Sequence, residues 1–271
     1  MVATAVLKRS GSAALARLCQ RQGVSPWRLR MLPVCGSTET VLSDWLRHRP
    51  WQGATPRAVV ARCQAYGYGQ WGRRWQSPPG GVWMSSALPW QGRDCAPGIL
   101  GLAVAVALAE RLEAVGLAVS IKWPNDLLVD GRKLAGILPR MVYRGSRVRL
   151  ARVGVGLNVT NYVPQGAIAL GQCLPAGGVK AAVSPLRWTF EVLLALDRAQ
   201  ELVLDPGAVC QATECRLWSR EVQDPNSGIV WRVDGLREDG ALLLRQGCHS
   251  ISWTRWLDGE ISWPVGSNRA E

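Results

Sequence analysis

Residues 121–136 read IKWPNDLLVDGRKLAG and gather two lysines, Lys122 and Lys133, with Asn125, Asp126 and Trp123. Their spacing lets Lys122, Asp126 and Lys133 converge near one site. The ordinary alternative is a hairpin whose charges are solvated. Pro124 disfavours helix at Trp123 and removes a backbone donor. Leu127-Leu128-Val129 is a short apolar run, and Asp130-Gly131 is a tight-turn dipeptide. The pattern predicts a loop, a strand, a turn and a return strand over Lys133–Leu138. That turn folds Lys133 back toward Lys122 and Asp126.

Three further stretches carry chemistry. Gly67-Tyr68-Gly69-Gln70-Trp71-Gly72-Arg73-Arg74-Trp75 contains GxGxxG after the strand expected over Ala58–Ala65. A dinucleotide fingerprint must open a helix, and Ser77-Pro78-Pro79-Gly80-Gly81 cannot. The loop instead suits an anionic ligand, with backbone amides and guanidinium groups on phosphate and Trp75 over a flat ring. Ser37 or Thr38 is an N-cap for a helix bearing Val41, Leu42, Trp45 and Leu46. A helix start with hydroxyls is equally a place to hold a polar ligand. Gly154-Val155-Gly156-Leu157-Asn158 ends a strand expected over Val148–Asn158, and paired glycines there admit close approach to the backbone.

KWPND followed by a turn and RKLAGIL resembles the core motif of biotin protein ligases, and the resemblance runs from about Met31 to Trp263. It implies an enzyme that joins biotin to ATP, with Mg²⁺ on the leaving pyrophosphate, to give biotinyl-5′-AMP. Biotin then passes to a lysine of the biotin carboxyl carrier domain of acetyl-CoA carboxylase. By resemblance Lys133, Arg73 and Asp126 are catalytic, Asp126 as the group that orients or accepts a proton from the carrier lysine. Biotin falls to Ser37, Thr38, Gln64, Gly67, Tyr68, Gly69, Gln70, Trp83, Lys133, Gly154 and Gly156. Nucleotide falls to Arg73, Trp75, Lys122, Asn125 and Asn158, and no metal is expected on protein side chains alone. The family loop reads GRGRxGRxW; here Tyr68 and Gln70 replace its first two arginines, and Tyr68 removes a fixed charge beside the reacting phosphate. For Trp83, a plain core tryptophan is the equal alternative to a biotin-pocket wall.

These residues need a scaffold. A strand is expected from Arg28, another over Gly81–Ser85, and a helix over Pro97–Gly116 with Ile99, Leu102, Val106, Ala109 and Leu112 on one face. A helix over Leu186–Leu202 opens at Ser184-Pro185, and a second covers Gly207–Leu217. Short strands and close turns from Arg220 onward, ending in GEIS at 259–262, indicate a small β-barrel. The expected class is α+β, and the resemblance makes it a class II aminoacyl-tRNA synthetase-like catalytic domain over 31–217 with a C-terminal SH3-like β-barrel over 218–271.

The 271 residues carry a net charge of +12. Residues 1–38 hold six basic residues and no acid, leaving 26 basic and 20 acidic residues and a balance of +6 for the rest. Residues 1–30 therefore read as a flexible basic leader, alternatively an organellar transit peptide, and are too short for a helix-turn-helix DNA-binding domain. No DNA and no membrane partner is expected, since no apolar run reaches the ~18 residues of a bilayer span. The eight cysteines form no CxxC, and only His48 and His249 are present, which argues against zinc and for reduced thiols in the cytoplasm. Three other readings remain: a lipoate-type acyl ligase, a non-catalytic biotin-binding relative, and a nucleic-acid-binding module motivated by the charge.

Overall fold

The computed structural model describes Ala13, Leu15, Arg17, Leu18 and residues 26–51, 55–90, 97–145, 147–174, 183–224 and 227–253. The GEIS segment lies outside them. The described chain is mixed α+β, built on a seven-stranded sheet and a four-stranded one. The strands of the larger sheet are β1 (Arg28–Leu32), β2 (Arg57–Ala61), β3 (Val82–Leu88), β4 (Ser120–Lys122), β5 (Asp126–Val129), β6 (Arg132–Arg144) and β7 (Arg147–Leu157). Their order is β1-β2-β3-β7-β6-β5-β4, and only β1 with β2 is parallel. The smaller sheet holds β8 (Glu221–Gln223), β9 (Val230–Leu236), β10 (Leu242–Gln246) and β11 (His249–Trp253), all antiparallel. Among the described residues it is an open sheet in the order β11-β10-β9-β8, and no barrel closure is seen.

Successive residues of a strand face opposite sides, and the two sides of the larger sheet are buried differently. Val59, Ala87 and Leu150 pack with Leu42 and Trp45 of α1 (Thr38–His48). Their neighbours Ala58, Val60, Val82, Met84, Ala151, Val153 and Val155 join the main core on the other side. That core is covered by α2 (Pro97–Glu113), α4 (Pro185–Leu202) and α5 (Pro206–Glu214), while α3 (Leu170–Cys173) is a single turn that the sequence did not announce. β4 is likewise a strand where a loop was expected, and β2 ends at Ala61, short of Ala65.

The helix expected over Pro97–Gly116 ends in its helical form at Glu113, with Gly116 at φ +88° closing the following turn. It has no single apolar face. Leu100, Ala103, Val104, Ala105, Ala107 and Leu108 are as buried as the five residues expected inward. The reason is position: α2 lies between the sheet, where Gly101 meets Pro139, and the helices α4 and α5.

Among the described residues of the leader, some depart from the flexible tail expected. Leu15 is fully buried in the main core and Leu18 and Trp27 pack partly against it, whereas Arg28, Leu29 and Arg30 belong to β1, the strand expected to start there. The Trp27 indole Nε1 donates to the Asp197 carboxylate on α4, at 3.1 and 3.3 Å. Burial pushes the Asp197 carboxyl up from 3.8 to about 6, against the lowering effect of the Trp27 hydrogen bond. The folded state thus holds a proton that the unfolded state has released between those two values, so stability falls as pH rises through about 6. We expect Asp197→Asn, which keeps an acceptor for Trp27, to gain melting temperature relative to the wild type as pH is raised from about 4 to about 7. A difference that stays constant with pH would refute the burial of this group as the cause.

Candidate functional site

α1 starts where the sequence placed it. Ser37 is the N-cap, and its hydroxyl accepts from the Glu39 amide at 3.2 Å. The cap is anchored to the sheet by a buried ion pair. Arg152 of β7 reaches Glu39 Oε1 at 2.7 Å, and its Nη2 also donates to the Glu39 carbonyl and the Ser43 hydroxyl. Thr38, next along, donates its amide and its hydroxyl to Gln64 Oε1 at 2.8 and 3.0 Å, and its hydroxyl also meets that of Ser85 at 2.8 Å. Gln64 Nε2 donates to Ser77 Oγ at 2.8 Å, which fixes the orientation of the amide. Ser85 carried no sequence signal; it belongs here because it alternates with the core residue Met84 on β3.

These groups close one end of a cavity of about 660 Å³ on the α1 side of the larger sheet. Its floor is bare backbone. Gly136 and Gly156 are direct partners across β6 and β7, and Gly154 follows on the same face. The Trp75 indole lies on that floor. A Cβ at Gly156 would stand 2.7 Å from the ring and one at Gly136 3.0 Å from it. The loop carrying Trp75 folds as a hairpin, with Gly69 N on Arg73 O and Trp75 N on Gly67 O, around a one-turn 3-10 helix at Gln70–Gly72. It does not open a helix, in keeping with the rejection of a dinucleotide site. Trp71, at φ 60°, and Gly72, at φ 70°, turn the tip.

At the other end lie Lys122, Asn125, Asp126, Lys133, Arg73 and Asn158. Asp130, at φ 48°, and Gly131, at φ 71°, make the turn that the sequence demanded. The β5–β6 ladder then shifts by one residue. Asp126 pairs with Gly136 and Leu127 with Ala135, but Leu128 pairs with Lys133. The surplus residue, Leu134, is buried in the core. Because side chains alternate, this bulge moves Lys133 onto the cavity face beside Gly136 instead of into the core with Ala135. Lys133 Nζ meets Asp126 Oδ2 at 2.7 Å and stands 4.9 Å above the Trp75 ring. Asp126 Oδ1 and Trp75 Nε1 are buried without a partner. Burial lowers the Lys122 ammonium below its usual range; Asp126 opposes the shift, and Lys133 and Arg73 add to it. Asn158 donates to the Lys133 carbonyl and accepts from Asn161.

Two expected residues are elsewhere. Trp83 is fully buried, donates to the Pro78 carbonyl at 2.8 Å and stands edge-on behind Trp75 at 6.4 Å, so it backs the pocket without lining it. Gly67 does not line the cavity either. A Cβ there would meet Ser77 Oγ at 2.6 Å and the Trp75 carbonyl at 2.7 Å, so its bareness lets the loop close. The other expected residues all line the cavity. Gly136 and Arg152 were missed: one lies inside the recognised motif, and the other acts from behind Glu39.

Residues 31–158 match the Biotin/lipoate A/B protein ligase family. The chain is 37% identical over 205 residues to the biotin–[acetyl-CoA-carboxylase] ligase of Paracoccus denitrificans, covering 69% of this chain and 83% of that one. It is 43% identical over 107 residues to the bifunctional ligase/repressor BirA of Bacillus subtilis, a match spanning 37% of this chain and about a third (32%) of that relative. The fold superposes on biotin protein ligase from Aquifex aeolicus, solved in complex with biotin and ATP, with TM-score 0.65 and 23% identity over 87% of this chain and 97% of that one.

Arg152→Leu should cost about 3–5 kcal/mol in denaturant unfolding, because it leaves the Glu39 carboxylate buried and unpaired. Arg152→Leu with Glu39→Leu should recover much of that loss; a double variant no more stable than the single would show that the charge is not the cause.

Proposed function

The chain belongs to the biotin/lipoate A/B protein ligase family, and on that footing we propose that it activates biotin with ATP and transfers it to a carrier lysine. The observation that carries this reading is the asymmetry of the cavity. One end gathers Lys122, Lys133 and Arg73 with a single carboxylate, Asp126, and the other presents hydroxyls and an amide at a helix start. In the first step the biotin carboxylate attacks the α-phosphorus of ATP and pyrophosphate leaves. Two anions must meet, and Lys133, Arg73 and Lys122 offset their repulsion and the charge growing on phosphorus. In the second step the ε-amine of the carrier lysine attacks the acyl carbon and AMP leaves. Asp126 Oδ1 is the oxygen that receives or orients the amine proton.

Ser37, Thr38 and Gln64 take the ureido ring of biotin. The Ser37 hydroxyl hydrogen and the second hydrogen of Gln64 Nε2 are its donors. The dithiolane of lipoate would leave these polar groups without a match, which favours biotin within the family. Gly69, Gln70 and Tyr68 contact biotin from the loop and Gly154 from below, Gly156 serves by seating the Trp75 indole, and Trp75, Asn125 and Asn158 hold the adenylate. No group of three or more His, Cys, Asp or Glu among the described residues is placed to hold a metal. Mg²⁺ would be held chiefly by the nucleotide phosphates, where it would offset charge on the leaving pyrophosphate.

The acceptor is the carboxyl carrier domain of acetyl-CoA carboxylase. On this reading the larger sheet and its helices make up the catalytic domain, of class II synthetase type, and the open sheet β8–β11 corresponds to part of an SH3-like barrel. Free thiols at all six described cysteines suit a cytoplasmic setting. No helix of the described residues is long and apolar enough to cross a membrane.

The test is mass spectrometry of a carrier domain incubated with the protein, ATP, Mg²⁺ and either biotin or lipoate. We expect a gain of one biotin and none of lipoate; no gain beside an active control ligase would remove the enzyme claim. Lys133→Ala should abolish pyrophosphate release with the fold intact by circular dichroism, and release at the wild-type rate would remove Lys133 from the mechanism. Tyr68, 37% exposed at the mouth, offers only one uncharged donor where an arginine would pair with phosphate. Tyr68→Arg should therefore slow escape of labelled biotinyl-AMP in a chase; an unchanged or faster escape would make Tyr68 an apolar cover.

A further inference from the structure

Trp123 stands in the turn between Lys122 and Asn125, yet its indole is turned away from the cavity. It is 1% exposed, and its Nε1 donates to the Gly240 carbonyl at 2.9 Å, in the turn between β9 and β10 of the smaller sheet. That turn is wedged in place. Gly240 lies at φ +84°, where a Cβ would stand 2.9 Å from the Gly98 carbonyl carbon, and a Cβ on Gly98 would stand 2.6 Å from the Asp239 carbonyl oxygen. The turn is thus held between the start of α2 and the indole. The segment between α5 and β8 grips the same hairpin twice more. Ile121 donates to the Arg216 carbonyl at 2.6 Å and accepts from the Trp218 amide at 2.9 Å. The Trp218 ring rests on Gly131, leaving no room for a Cβ (2.7 Å).

We propose that the smaller sheet is a positioning element of the site, and that Trp123 is the positioning residue through which it acts. Its hold on the turn sets Lys122 and Asn125 against the cavity, Asn125 being further tied to Ile137 by hydrogen bonds in both directions. The opposite end of the cavity is built from α1, Gln64 and β3 and makes no use of this contact. Loss of the clamp therefore weakens the nucleotide end and spares the biotin end. This rests on the assignment of ATP to the Lys122 end.

Two variants test it, both altering residues outside the cavity lining. Trp123→Phe keeps the ring bulk and removes the donor, leaving the Gly240 carbonyl unpaired. Gly240→Ala presses the turn against Gly98 from the other side. Each is measured for biotin affinity by calorimetry, for the KM of ATP in pyrophosphate release, and for amide hydrogen exchange across 120–131. The expected result for both is an ATP KM raised about tenfold, biotin affinity within about twofold of the wild type, and faster exchange over the hairpin. An unchanged ATP KM in Trp123→Phe, or equal losses for biotin and ATP, would overturn the positioning role. A wild-type protein that releases no pyrophosphate overturns the ligase reading instead. Hydrogen exchange still decides the clamp in that case, since unchanged exchange in Trp123→Phe overturns it and faster exchange upholds it.

Discussion

The site depends on a steric constraint: on its cavity face, the larger sheet must carry no side chain where β6 and β7 meet beneath Trp75. Gly136 and Gly156 face each other across β6 and β7, and the Trp75 indole lies directly on them. Any Cβ at Gly156 would claim the volume of that ring. The indole in turn supports Lys133 from below and turns the edge of the cavity apolar. Glycines weaken a strand interior, and here the opposite face of the same strands is packed into the main core through Ala135, Ile137, Val153 and Val155.

On that floor the charges are arranged unequally. Lys133 has a carboxylate at hydrogen-bond distance, whereas Lys122 is held in a partly buried position where its ammonium is disfavoured. A phosphate entering here would relieve that cost and exchange a strained electrostatic arrangement for a satisfied one. Glu39, the other carboxylate near the cavity, is withdrawn from this balance by Arg152. The helix start therefore offers neutral donors, and the far end offers cations.

The hairpin was legible because its turn chemistry is local: Asp130-Gly131 needs left-handed backbone, and both residues adopt it. The N-cap at Ser37 and the glycine pair at Gly154 and Gly156 were legible for the same reason. What escaped was settled by distant neighbours. Trp83 looks the same in sequence whether it lines a pocket or backs one; the Pro78 carbonyl that takes its N–H decides. α2 carries apolar residues all round because three layers meet on it, and periodicity cannot report the number of neighbours. The leader read as mobile from its composition, yet Leu15 and Trp27 are held by apolar packing and by Asp197, which lies 170 positions from Trp27 along the chain. Arg152 gave no signal because its partner, Glu39, reads as an ordinary acidic residue in a first helical turn.

The surplus residue in the β5–β6 ladder makes the placement of Lys133 a matter of parity. A change of side chain anywhere in this hairpin alters the site by degrees. A ladder that ran on at the same length without the bulge would turn the ammonium to the opposite side of the sheet, among Leu127, Val129 and Ala135, where an unpaired charge is strongly disfavoured. Removal of Leu134 would instead leave a regular ladder with Lys133 still beside Gly136. The facing of the ammonium therefore rests on where the ladder takes up its extra residue, not on the charge of any side chain around it.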